Sequence, residues 1–428
     1  MLPAQFKIVA FSRRPFSHQD FRQFSLETLA VKKPGVDPAK LASFLELVSY
    51  VQGTFDEVAA YPRLGEALAA VDQSFGICAN KLFHLAVHPE FYEVILNNLA
   101  ASGLSIPCGG NLGWTRVLVE KPFGRDTETA QKLERLLGSL FQEEQIFRID
   151  HYLAKETLQN ILTFRFSNSL FEPLWNNEFI ASIKLSLFEQ ADVSARGDFY
   201  DTVGALRDVG QNHLLQMLAL VALDFPGELS TAAIRSARAK VLADLSCTTA
   251  SRAQYEGFTT ELGVGPDSTT ETYFALEAGI NSPRWQGVPF YLESGKGVAE
   301  SRAEIVVTFK DKTTQIKTDR PNQLIFRLQP DEGISVLFWL KKPGLGLVAE
   351  PQYLTFNYAN SPDTAKLPDA YERVLLDAFR GDQTLFTSTE EMMASWRFIT
   401  PILAAWQNEP LLKYQKGVNY THYGIRNH

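Results

Sequence analysis

Cysteine is scarce in this chain: three in 428 residues, Cys78, Cys108 and Cys247, widely spaced and without a CxxC pair. That scarcity predicts neither a disulfide framework nor a thiolate metal site, and it fits a reducing compartment. Long apolar runs are lacking too. "LLQMLALVAL" at 214–223 contains Gln216 and falls far short of the ~20 residues that span a bilayer. The start, "MLPAQFKIVAFSRR", puts a short apolar stretch before its arginines, the wrong order and length for a signal peptide. A cytoplasmic protein is expected. Positive charge is in deficit, with 41 Lys and Arg against 49 Asp and Glu for a net charge of -8, which excludes a nucleic-acid backbone as the main partner. A local cationic pocket for a small phosphate stays open. No HExxH, GxSxG or EF-hand pattern occurs, nor any repeat or low-complexity segment.

What is present is ordinary globular composition, 45% hydrophobic and 21% charged, in a chain too long for a single core. Two or three domains are expected. In the first third, "FKIVAFS" (6–12), "FGICANKLFHLAV" (75–87) and "TRVLVEKPF" (115–123) read as buried strands. Helical patterns such as "DPAKLASFLELVSYV" and "TETAQKLERLLGSLFQEEQ" separate them, which predicts parallel βαβ units. After about residue 150 the rhythm changes. Helix is predicted through "KETLQNILTFRF" and "GALRDVGQNHLLQMLALVAL", with the strand "FIASIKLSLFEQ" between them. Then "TETYFALEAG", "AEIVVTFK", "NQLIFRLQP", "GISVLFWLKK" and "QYLTFNY" crowd together with Pro, Gly and Asp turns, as in an antiparallel sheet. The tail returns to helix. The expected architecture is an α/β domain over 1–149 followed by a larger α+β domain over 150–428.

"RIDHYLAKETLQN" (148–160) packs Asp150, His151, Tyr152 and Lys155 into six positions. Were it helical, His151 and Lys155 would share a face four apart, a plausible grip for a phosphate dianion. A solvated helix face is the plainer reading of that segment alone. "ALRDVGQNHLLQ" (205–216) sets Asp208 and His213 ahead of an apolar helix. A core histidine is one reading of His213, and a general base oriented by a carboxylate is the other. Lys121 in "VEKPFG" ends a strand of the first domain, where α/β sheets gather ligands, although a simple proline turn would look the same. His84 and His88 have metal-pair spacing only if helical, and they sit on a strand stopped by Pro89, so zinc is rejected. "GLGLVAE" (344–350) lacks the third glycine of a dinucleotide turn and "SGKG" (294–297) the first glycine of a P-loop.

"EKPFG", "RIDHYLAKE", "ALRDVGQNHLLQ", "RWQGVPFYLESGK", "QPDEGI" and "LPDAYERVLLDAFRGDQTLF" occur in this order, and together they closely resemble the glucose-6-phosphate dehydrogenase family. The resemblance runs from about residue 5 nearly to the C-terminus. It implies oxidation of glucose 6-phosphate to 6-phosphogluconolactone with NADP as cofactor and no metal, in a homodimer formed through the large sheet. By position, His213 matches the general base and Asp150 its carboxylate partner. His151, Tyr152 and Lys155 match the holders of the 6-phosphate, and Glu189, Asp208 and Lys296 match residues that bind the sugar. Lys121 matches a lysine between substrate and nicotinamide, and Arg13 the reader of the NADP 2'-phosphate.

The chain departs from the family at several points. Ser301 with Arg302 beside it stands where Lys or Arg is usual, Glu293 where arginine is common, and "VSARGDFYD" lacks an acidic residue before its RG. The family's glycine-rich nucleotide turn, on a strand preceding a sequence like "FKIVAFSRR", has no counterpart, which is read as a truncated or misassigned start. Without that central strand, sheet edges should be exposed on both sides of a gap. The competing expectation is a sugar-phosphate-binding regulatory pseudoenzyme that has lost its cofactor. A different two-domain sugar oxidoreductase would share "EKP" but not DHYLxKE with QNHLLQ.

Overall fold

In the computed structural model, which describes residues 3–108, 113–312, 316, 318–360 and 369–419, the chain divides into two compact units. One comprises Met1–Lys121, Lys132–Ile149 and Leu375–Gln383, and the other Pro122–Gln131, Asp150–Val374 and Thr384–His428.

The first unit alternates strand and helix in the order β1 (Ile8–Ser12), α1 (His18–Lys32), α2 (Pro38–Leu45), β2 (Val48–Gln52), α3 (Ala60–Phe75), β3 (Lys81–Leu85), α4 (Tyr92–Ala101), β4 (Thr115–Val119), α5 (Thr127–Leu140), whose first turn counts with the second unit, and β5 (Ile146–Ile149). Neighbouring strands are parallel, β1 with β2 and β3 with β4 with β5. Among the described residues β1 and β3 do not pair, so the strands form two separate runs. Ile8 on β1 is 39% exposed.

Several local expectations are corrected. The helical pattern over "DPAKLASFLELVSYV" holds only to Leu45, started by the Asp37 cap and Pro38, because Val48 and Tyr50 turn inward on β2. The strand predicted over 75–87 shrinks to Lys81–Leu85, since α3 runs on to Phe75 and stops at Gly76, whose φ of 68° suits glycine. β5 begins directly after a helical pattern, at four residues over which no element is predicted. Its Arg148 is fully buried and bridges Glu134 at 2.6 Å and Glu143 at 3.0 Å, which fixes the strand immediately before Asp150. The expectation of no disulfide is also wrong: Cys78 and Cys108 are bonded, with Cα atoms 5.9 Å apart. Thirty residues of helix and strand fold back to bring them together, which spacing alone cannot show.

The second unit is built on a nine-stranded sheet. Its strands are β6 (Ile180–Glu189), β7 (Leu245–Tyr255), β8 (Tyr273–Ile280), β9 (Phe290–Lys296), β10 (Arg302–Phe309), β11 (Gln323–Gln329), β12 (Gly333–Lys341), β13 (Ala349–Asn357) and, after the short β14 (Phe386–Thr387), β15 (Leu412–Tyr414). The order is β13-β12-β11-β10-β6-β9-β8-β7-β15. Pairing is antiparallel except for β6 with β9 and β15 with β7. The unit's helices are α6 (Glu156–Ser167), the short α7 (Gly197–Asp201), α8 (Leu215–Ala222), α9 (Thr231–Ala243), α10 (Ala370–Arg380), shared with the first unit, and α11 (Thr389–Ala405). The apolar run that is too short for a membrane is α8, with every residue buried against α6 and α9. Among the described residues no helix is long and apolar enough to cross a membrane.

Candidate active site

The stretch that opened as a possible helix is a turn. Asp150 leaves the end of β5, and its Oδ1 accepts the Tyr152 amide at 3.0 Å, an Asx turn that lets the chain reverse before α6 begins at Glu156. The expected i,i+4 face of His151 and Lys155 therefore does not exist. The turn gathers the side chains more tightly than a helix would.

His213 Nδ1 lies 2.6 Å from Asp150 Oδ1, with the two residues 2% and 1% exposed. The Tyr152 ring packs on His213 with centroids 4.2 Å apart, and His151 meets His213 edge-on at 4.9 Å. His213 rides on a π-helical segment, Leu206–Leu214, that runs into α8. In an α-helix, residues five apart point about 140° from one another at ~100° per residue. The wider i→i+5 ladder of the π-helix brings Asp208 and His213 toward one side. The start of this segment is fixed by Glu271, a buried carboxylate whose Oε1 accepts the Leu206 amide at 3.0 Å, while Gly204 lies so close that a Cβ there would strike the carboxylate.

A second cluster comes from the sheet. Parallel pairing of β6 with β9 sets Glu189 opposite Lys296, and their side chains form a short ion pair. Lys296 Nζ is 4.0 Å from Asp208 Oδ2 and lies over the Tyr200 ring at 5.4 Å. Burial, followed by the carboxylates of Glu189, Asp150 and Asp208, drives the Tyr152 phenol pKa far up, so it is a proton donor throughout the neutral range. That electrostatic coupling joins the two clusters. Lys155, expected beside His151, has its ammonium 3.5 Å from Glu332 Oε1 and 5.8 Å from the Tyr152 ring centroid.

The departures at Ser301 and Glu293 have local explanations. Ser301 Oγ accepts the Gln190 amide at 2.9 Å, next to Glu189. Glu293 is fully buried in the sheet, paired with Lys184 at 2.6 Å and accepting from the Tyr273 hydroxyl. Sequence reasoning missed Glu332, Glu271, Tyr200 and Tyr371, whose ring stacks on His151 at 6.2 Å. Glu332 and Tyr371 fall within family motifs, which was a usable signal. Nothing local marks Glu271 or Tyr200.

Arg13 and Lys121 belong to the first unit. Arg13 is exposed one residue beyond the carboxyl end of β1, and Lys121 is half-buried two residues beyond that of β4. A guanidinium at such a strand end suits a phosphate monoester. The first turn of α1 offers little to a pyrophosphate, because Ser17 and Asp20 already cap it reciprocally and Asp20 adds negative charge. The ligand atoms of Asp150, His151 and His213 lie within 4.8 Å of one another, a spacing open to a metal ion. Chelation there would compete with the His213–Asp150 bond.

Residues 1–160 match the family model "Glucose-6-phosphate dehydrogenase, NAD binding domain", and residues 162–422 the model "Glucose-6-phosphate dehydrogenase, C-terminal domain". A glucose-6-phosphate 1-dehydrogenase of Chlamydia muridarum is 38% identical over 95% of this chain and 84% of its own length. Its namesake in Aggregatibacter actinomycetemcomitans is 40% identical over 94% and 84%. A solved glucose-6-phosphate dehydrogenase in complex with its substrate glucose 6-phosphate superposes with a TM-score of 0.89 at 31% identity, covering 97% of this chain and 88% of the other.

Proposed function

Because the chain belongs to the glucose-6-phosphate dehydrogenase family, we propose that it oxidises D-glucose 6-phosphate to 6-phospho-D-glucono-1,5-lactone with NADP, and that the clusters around His213 form its active site. The buried His213–Asp150 pair carries the reading. A carboxylate can only accept, so it fixes the imidazole with its proton on Nδ1 and leaves Nε2 to take the proton from the anomeric hydroxyl. NADP, when bound, supplies the hydride acceptor. As the C1 hydrogen leaves with its electron pair, the hydroxyl must lose its proton, and the growing positive charge on His213 is balanced by Asp150.

His151, Tyr152 and Lys155 hold the 6-phosphate, with the ammonium and the protonated phenol as donors. Glu189, Asp208 and Lys296 alternate in charge and bind the sugar hydroxyls. Arg13 takes the 2'-phosphate of NADP and Lys121 the nicotinamide side, which makes 1–149 the cofactor domain and 150–428 the substrate domain. The second unit also carries the homodimer surface: Phe338, Leu340, Leu354 and Phe356, which the β12–β13 register sets on one face, are between 38% and 63% exposed, an apolar face a second copy would cover. The cytoplasm is the compartment this metabolic role fits. The regulatory alternative gains no support from a site in which base and carboxylate partner are both in place.

The test is NADPH formation by the 428-residue chain with glucose 6-phosphate and, separately, with unphosphorylated glucose. Turnover dependent on the phosphate is expected, and no turnover of the phosphate ester, or preference for the free sugar, would refute the assignment.

A further inference from the structure

Lys296 is the last residue of β9, and Gly297 follows it with a φ of 65°. Strand ends fray unless something holds them. Here the hold comes from the far end of the chain. β15 adds in parallel beside β7, with Tyr414 opposite Tyr255, and places the Tyr414 hydroxyl in a site that leaves the residue 3% exposed. That hydroxyl is 2.6 Å from the Lys296 carbonyl oxygen and 2.9 Å from Thr272 Oγ1. Thr272 Oγ1 accepts the Tyr255 amide at 2.9 Å, and the Thr272 carbonyl accepts the Lys296 amide at 3.0 Å. The Lys296 carbonyl can only accept, so the single Tyr414 hydroxyl proton goes to it, and the Thr272 hydroxyl donates to Tyr414.

Three further contacts lie just beyond. The Gly417 amide donates to the Gly297 carbonyl at 2.7 Å, and Lys416 reaches Asp192 at 2.5 Å and Glu261 at 3.0 Å. The Gly297 amide in turn donates to Ala191, two residues after Glu189. The segment from Tyr414 to Gly417 thus holds the backbone of Lys296 and Gly297 and, through Lys416, the side chain of Asp192, three residues after Glu189.

We infer that the C-terminal strand is a strap that sets Lys296, with Tyr414 as its positioning residue, so that affinity for the sugar phosphate depends on a hydroxyl 118 positions further along the chain. The inference rests on Lys296 being a substrate-binding lysine. Glucose 6-phosphate binding, followed by calorimetry without NADP on the whole chain, separates the two ideas.

Tyr414→Phe keeps the ring among Tyr255 and Tyr273 and removes only the hydroxyl. Its Kd should rise about fivefold, the weight of one hydrogen bond. In a Lys296→Ala background the same substitution should change nothing further, because the strap acts through Lys296. Lys416→Ala, on a partly exposed side chain, should loosen the strap in the same direction by a smaller factor, and it carries the test should Tyr414→Phe fail to fold. Unchanged binding in the folded variants, or a loss that persists undiminished without Lys296, would overturn the strap. A wild-type chain that binds no glucose 6-phosphate would overturn the reading of Lys296 and the strap with it.

Discussion

The two units treat their functional charges in opposite ways. In the second, Asp150, His213, Glu189, Asp208 and Lys296 are held by one another and by buried groups such as Glu271, so the site is assembled before any ligand arrives. In the first, Arg13 is exposed one residue past β1 and Lys121 half-buried two residues past β4, on two parallel runs that among the described residues do not pair with each other. Charges fixed as in the second unit are preorganised, the kind of arrangement that lowers barriers because no reorganisation remains to be done during reaction.

The sharpest way to break this contrast is at the base. His213→Ala should lower kcat about a thousandfold, within the usual range for a lost general base, while glucose 6-phosphate still binds; NADPH absorbance and calorimetry read the two separately. A variant that instead lost binding with its kcat intact would show that the histidine holds substrate rather than reacts.

Next in size is the Cys78–Cys108 bond. Opening it by substitution of both cysteines with serine should destabilise the first unit by about 3 kcal/mol, the effect of releasing a loop of that length. Hydrogen exchange should then quicken in β3 and β4 and stay unchanged in β8 and β9. Equal quickening in both units would mean that they unfold as one.

Lys155→Ala should raise KM for glucose 6-phosphate between about 10- and 100-fold by removing a charge-assisted contact, with no effect on any turnover of unphosphorylated glucose. An equal loss with both sugars would deny it the phosphate. Smallest is Arg13→Ala, which should raise KM for NADP about fivefold and leave that for NAD alone, as expected of an exposed charge. If NAD suffered equally, the guanidinium would not be reading the 2'-phosphate.

The same contrast governs what the sequence could reveal. Motifs carried His213, Asp150 and Tyr152 because each is a distinctive residue at a fixed offset, and the geometry then drew them together. The helical reading of "DHYLAKE" failed because one Asx turn, set by Asp150, outweighs a helix-compatible pattern. A helical wheel cannot place Asp208 with His213, since the π-helical ladder changes the angle between residues. The disulfide and the Tyr414 contact were invisible for a shared reason: both join positions that only tertiary folding makes adjacent. β2 was lost inside a helical pattern whose apolar spacing fits either period over five residues, and no element is predicted over the four residues of β5.

The proposed chemistry requires Asp150 and His213 to act as one unit. The most direct measurement is the kcat of His213→Ala, Asp150→Ala and the double variant with glucose 6-phosphate and NADP. If Asp150 works only through the imidazole, the double variant should be no slower than His213→Ala alone. Rate losses that multiply in the double variant would show two independent roles and contradict the dyad.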